Sequence, residues 1–183
     1  MNKILFTLIL IGGLFAQENT TTIMCESIDE FDDTRTLTSG RQILFKDGGD
    51  LQTQGMALVG ITQKKKNKYY LSSLIVSAVG LESSCVDKGS TLDIIFENGE
   101  KIKLSSWNKF NCKGASYFTL SDNHRKNFSQ SKIKAVRYTE KKSREKMTSK
   151  NEITEKNANY LPDLIKEIDA VNSGDLTFRV CEF

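Results

Sequence analysis

The stretch "LDIIFENGEKIKL", residues 92–104, decides how the rest of the chain is read. Two runs of alternating apolar and polar residues flank Asn98-Gly99, the strongest short-range hairpin signal. The register follows from which residues must share a face. With a three-residue loop Glu97-Asn98-Gly99 and Gly99 in the left-handed conformation, Ile94 faces Ile102 and Leu92 faces Leu104. Phe96 then joins those four on one apolar face. A two-residue loop would instead set Phe96 and Ile94 against Lys101 and Lys103, which spoils the face. The first register is therefore expected, with the tip "ENGE" exposed.

Extended backwards, that register brings Cys85 and Cys112 to the base of the same hairpin, one position out of alignment. Four cysteines allow three pairings. The hairpin favours Cys85–Cys112, which leaves Cys25–Cys181 to tie the ends of the mature chain. The alternative is four unbridged cysteines acting as small apolar residues. Compartment bears on the choice. "MNKILFTLILIGGLFAQ" sets Lys3 before a 12-residue apolar run, Ile4 to Phe15, and then Ala16-Gln17. This is the pattern of a signal peptide cut after Ala16. A membrane-spanning helix needs roughly 20 apolar residues. The expected address is the periplasm or the outside of the cell, where disulfides form, with no transmembrane anchor after cleavage.

The remainder is hairpin-ordered. Residues 17–28 read as a polar, flexible lead-in to a single β-rich domain spanning 29–183. "EFDDTRTLTS" (30–39) predicts a first strand, and "RQILFKDGGD" (41–50) a short strand ending in a glycine turn. "GMALVGITQ" and "KYYLSSLIVSAVGL" predict a hairpin closed by "KKKNK", and the second strand is apolar enough to lie centrally. "YFTLS" predicts a short strand. Ser121 is a candidate N-cap for a short helix beginning at Asp122. "KIKAVRYTE" predicts a strand with Ile133 and Ala135 on one face and Lys134, Val136 and Tyr138 on the other, and "MTSKNEI" its partner. "NANYLPDLIKEIDAV" is the best helix, with Leu161, Leu164, Ile165 and Ile168 at helical spacing, Pro162 in the first turn and Gly174 after the end. "DLTFRVCEF" predicts a final edge strand. Strands in hairpin order with one firm late helix predict an α+β, mainly antiparallel β domain. A single sheet, a sandwich or an open barrel all fit, with the C-terminal helix packed on the sheet.

"EFDDTRTLTS", "YYLSSLIVS", the hairpin "GSTLDIIFENGEKIKL", "KIKAVRYT" and the helix "NANYLPDLIK" occur in that order. Together they resemble a loose group of small exported bacterial proteins of unknown function, over about residues 28–170. The resemblance implies this fold and this address, and supplies no catalytic residues.

The chemistry-bearing residues are sparse. No glycine loop has phosphate-binding spacing. His124 is the only histidine, so metal sites built on histidine pairs are excluded, and the cysteine spacings are not those of zinc. A nucleophile–base pair of a cysteine with His124 lacks any catalytic signature around it. The acids Glu26, Asp29, Glu30, Asp32 and Asp33, and the turn Asp47-Gly48-Gly49-Asp50, lack calcium-loop spacing. Lysines gather at Lys64, Lys65, Lys66 and Lys68 and again over 132–150, against a formal net charge of only +3. That footprint excludes a typical nucleic-acid binder. It fits lysines that protect a hairpin tip and an edge strand, or contact with acidic glycans or lipid headgroups.

The expected function is a non-catalytic binding or interaction module of the cell envelope, a monomer with no cofactor. Its partner is an envelope protein or polymer, met through Lys64, Lys65, Lys66 and Lys68 or the tip Asn98 and Gly99. The alternatives are a hydrolase acting on an envelope polymer and a structural or stress-related envelope protein.

Overall fold

The computed structural model describes residues 23–29, 34–39, 42–45, 55–79, 85–112, 114–141, 146–153 and 155–177. Among these residues ten antiparallel strands form two sheets. In chain order they are β1 (Ile23–Asp29), β2 (Thr34–Ser39), β3 (Gln42–Phe45), β4 (Gly55–Lys65), β5 (Lys68–Val79), β6 (Thr91–Phe96), β7 (Lys101–Ser105), β8 (Ala115–Thr119), β9 (Ile133–Lys141) and β10 (Lys146–Glu152). The helices are α1 (Asp122–Gln130), α2 (Glu155–Ala158) and α3 (Tyr160–Ser173). One sheet has six strands in the order β1-β2-β4-β5-β8, with β3 also pairing β4. The other has four, in the order β10-β9-β6-β7. Among the described residues neither sheet closes on itself. This is the mainly antiparallel α+β architecture that hairpin order predicts, with α3 packed on the sheets.

The β6–β7 hairpin adopts the expected register, pairing Leu92 with Leu104 and Ile94 with Ile102. Gly99 has φ +87°, and its N–H donates to the Phe96 carbonyl. Alternation then does the rest: β6 and β7 bury Leu92, Ile94, Phe96, Ile102 and Leu104 and turn the lysines outward. At the base the ladder resumes one residue out of step as a bridge between Val86 and Asn111. There Cys85 and Cys112 form the expected disulfide. Cys25 is disulfide-bonded as well, and the described residues hold no free cysteine. Cys181, its expected partner, lies outside them.

The β4–β5 hairpin turns through Lys66 (φ 49°) and Asn67 (φ 62°), the left-handed pair of a tight turn whose twist matches the strands. Apolar β5 lies centrally as expected, between β4 and β8. Two local readings differ from the sequence expectation. Residues 23–28, expected in the lead-in, belong to β1, which pairs with β2. Their polarity suits an edge strand with one wet side. In β9, Phe96 pairs with Ile133 but Ile95 pairs with Ala135, so Lys134 is an extra, bulged residue. The bulge resets the alternation. Ile133, Val136 and Tyr138 are therefore all buried, where simple alternation separates Ile133 from the other two.

Ser121 caps α1 and Gly174 ends α3 in the left-handed conformation. The inward faces of both sheets, Phe128 of α1 and Leu161, Leu164 and Ile168 of α3 join in one hydrophobic cluster. The helix α3 also seals strand edges. Asn172 accepts from the Tyr69 N–H at 2.7 Å and donates to the Tyr69 carbonyl at 2.9 Å. The expected signal segment, the Asp47–Asp50 turn and residues 178–183 of the expected final strand fall outside the described residues, while the first three residues of that stretch, 175–177, are not in a strand.

Candidate binding surface

The two tips expected to meet a partner lie on different hairpins, and no described contact joins them. Lys65, Lys66 and Lys68 are exposed, while the Lys64 ammonium sits 5.4 Å from the centre of the Tyr69 ring. The Asn98-Gly99 tip is tied to the turn after α1. Asn98 N–H donates to the Ser131 hydroxyl at 3.2 Å, and Glu97 N–H to the Lys132 carbonyl at 3.0 Å.

A different surface stands out by exposure. Among the described residues the large apolar side chains left open are Ile28, Trp107 (62%) and Phe110 (58%). Trp107 and Phe110 share the β7–β8 connection, which is held by polar contacts along its length. Trp107 N–H donates to the Tyr117 carbonyl at 3.1 Å, and Asn108, itself buried, accepts from Tyr117 N–H at 3.0 Å. Asn111 donates to the Lys109 and Ala115 carbonyls and exchanges backbone bonds with Val86. The Cys85–Cys112 bridge closes the base. The indole stands 5.7 Å from the Tyr117 ring, tilted by 49°. Its position is therefore set before any ligand arrives.

Next to this loop lies the outer face of the four-stranded sheet. A depression of about 400 Å³ opens over β6, β7 and β9, lined by Asp93, Ile95, Lys101, Lys103, Ala135 and Arg137 among others. The register places Lys103, Asp93 and Arg137 in one row and Lys101, Ile95 and Ala135 in the next. Arg137 pairs with Asp93 at 2.7 Å, and its side chain remains half exposed. The floor is apolar and the rim cationic.

The groups with displaced pKa values are structural. Burial pushes the Tyr69 and Tyr138 hydroxyls up to about 12, and Glu26 adds to the effect at Tyr69. Tyr160 is raised by burial. His124 is lowered by burial and by neighbouring Arg125. It completes a capping box: its Nδ1 accepts from Ser121 N–H at 3.2 Å, and its own N–H donates to the Ser121 hydroxyl at 3.3 Å. Glu26, from the acidic stretch, is buried beneath Arg35 (3.4 Å) and accepts the Tyr69 hydroxyl. No group of three or more His, Cys, Asp or Glu that could hold a metal occurs among the described residues. No described helix is long and apolar enough to cross a membrane.

Sequence reasoning missed Trp107, Phe110 and Arg137. A lone tryptophan in "SWNKFNC" reads equally well as core. The available signal was the unbroken alternation from Lys101 to Lys109, which carries Trp107 outward with the lysines. No protein-family model, curated protein or solved structure matches this chain.

Proposed function

We propose that this chain is an exported, non-catalytic binding module of the cell envelope, which meets its partner through the Trp107 loop. The observation that carries the reading is the exposure of Trp107 and Phe110 on a loop fixed by a disulfide and by Asn108 and Asn111. Exposed aromatics on a pre-ordered frame bind with little loss of conformational entropy, and aromatic side chains dominate binding hot spots. The disulfide, the apolar N-terminal run and the resemblance to small exported proteins support work outside the cytoplasm. A glycoside hydrolase of the two-carboxylate kind would use two facing acids open to substrate. Asp93 and Glu26 are instead each engaged by an arginine.

Site-specific photocrosslinking in the native cell tests the proposal. A crosslinker at Lys109 should give a discrete adduct, protein or polymer, while one at Lys66 or Asn98 should not. Adducts from the two tips with none from Lys109 would move the surface elsewhere. No adduct from any position would remove the binding reading.

A further inference from the structure

From Lys101 to Lys109 exposure alternates without a break, although the strand itself ends at Ser105. Ile102, Leu104, Ser106 and Asn108 face inward, and Lys101, Lys103, Ser105, Trp107 and Lys109 face solvent. An extended chain rises about 3.3 Å per residue, so outward positions recur every ~6.6 Å and Lys101 lies about 20 Å from Trp107. Three lysines and one indole thus share the outward side of one segment at the sheet edge. Neither Lys101 nor Lys103 has an acidic partner within ion-pair distance among the described residues, and Arg137 across the depression is paired with Asp93. Asp93 lies opposite Lys103 across the β6–β7 pair and is taken up by Arg137, while Glu97 and Glu100 stand at the hairpin tip.

We infer that this outward side binds a linear acidic polysaccharide, its sugar ring on Trp107 and its anionic groups along Lys101, Lys103 and Lys109. The inference rests on the reading of the Trp107 loop as a binding surface and names the ligand class for it. Edge lysines alone are explained by protection against strand addition. That explanation leaves an exposed tryptophan among them without a reason. The indole, backed by Tyr117, offers a face, and the negative face of an aromatic ring attracts the polarised C–H bonds of a pyranose. Lysine acts as a point charge, so carboxylated and sulfated chains are both accommodated. A lipid bilayer fits less well. It is flat, while the apolar floor at Ile95 and Ala135 is recessed. Single-stranded nucleic acid would call for several stacking positions in a strongly basic groove, and the chain carries a net charge of only +3.

Trp107 is the only tryptophan in the chain, so intrinsic emission reports on this one site. The intact, disulfide-bonded protein is titrated with a polyuronate oligosaccharide and with chondroitin sulfate. Neutral dextran, phosphatidylglycerol vesicles and oligothymidylate are run beside them. A saturable change in emission with at least one acidic glycan is expected, with reduced acrylamide quenching and affinity that falls as salt rises. Lys101→Glu with Lys103→Glu should weaken that binding about tenfold, given two reversed surface contacts. Lys64→Glu with Lys66→Glu changes net charge equally and should leave it unaltered. Trp107→Ala, followed by gel retardation in the glycan, should abolish it.

No response to either acidic glycan overturns the inference. So does equal weakening by the two lysine pairs, or a response confined to vesicles or oligothymidylate. If the glycans fail while Lys109 still crosslinks in the cell, the ligand class falls and the binding module stands. If both fail, both readings fall.

Discussion

A Cβ added at Gly60 would lie 2.5 Å from a Leu164 methyl and 3.0 Å from a Leu71 methyl. The glycine lets α3 approach the sheet, and both neighbours are fully buried, so neither has room to withdraw. Gly60→Ala should cost about 1–3 kcal/mol by overpacking. Gly99 is different. Nothing lies within 4 Å of its Cβ position, but its φ is +87°. Gly99→Ala should cost about 1–2 kcal/mol through the backbone alone. Urea unfolding midpoints measure both costs. Coupling tells them apart: Leu164→Ala should relieve part of the Gly60→Ala penalty and none of that at Gly99. His124 supplies a pH test at the same scale. Its folded pKa is depressed by burial and then by the neighbouring Arg125. Its contribution is then fully present above the unfolded value of about 6.5 and is lost as pH falls through the lower folded value. Stability should drop on acidification through this window. His124→Gln keeps a capping-box side chain and should flatten that part of the profile. An unchanged slope in the variant would show that other groups carry it. The sequence reveals the cap at Ser121. It hides the role of His124, because that position of the box usually holds Glu or Gln.

At the scale of elements, legibility tracked whether the signals were local. In β6–β7 the Asn-Gly turn, the period of two and the placement of Lys101 and Lys103 all demand one register, so the pairing and the Cys85–Cys112 bridge follow from sequence. The β9 bulge depends on how Phe96 meets Ile133, a property of the pair that neither strand shows alone. The strand β1 was hidden for a related reason. Its polar residues become a strand through pairing with β2. The candidate site was least legible, because exposure of Trp107 is decided by what packs beneath the loop. The bridge links this element to function. It spans a sequence separation of 27, for which chain entropy gives about 3.5 kcal/mol. Replacing Cys85 and Cys112 by alanine should lower stability by that order. It should also loosen the Trp107 loop beyond the global effect. Hydrogen exchange at the Trp107 and Val86 amides, which donate to Tyr117 and Asn111, measures the local part. Equal acceleration at these and at core amides of β6 would mean that the bridge stabilises the fold without ordering the loop.

At the scale of the whole molecule, the described residues form two sheets and three helices around one apolar cluster, and their layers are also joined by polar ties made by tyrosine. Tyr138 of β9 meets Ser116 of β8 at 2.8 Å, across the two sheets. Tyr160 of α3 bonds Ser39 of β2 and accepts from Gly60 N–H of β4. Tyr69 of β5 donates to Glu26 of β1. These ties are invisible in the sequence, where each tyrosine looks like one more apolar strand or helix residue. Ionising any of the three hydroxyls places a charge inside the fold, against Glu26 at Tyr69 and near Glu140 at Tyr138. The folded pKa is raised, to about 12 at Tyr69 and Tyr138, above an unfolded value of 10.0. The stability that these groups supply is thus complete below pH 10 and is lost as pH climbs towards 12. Cooperative alkaline unfolding is expected in that interval. Three of the five tyrosines should ionise late, in one step with the loss of native Trp107 emission. Absorbance of tyrosinate and tryptophan emission, followed together against pH, check this. Tyr138→Phe should remove part of the late absorbance. It should also lower stability at neutral pH by about 1–2 kcal/mol, since buried Ser116 loses its partner across the sheets. If the late tyrosines ionise gradually while the tryptophan signal stays native, the ties yield one at a time and do not hold the layers together as a unit.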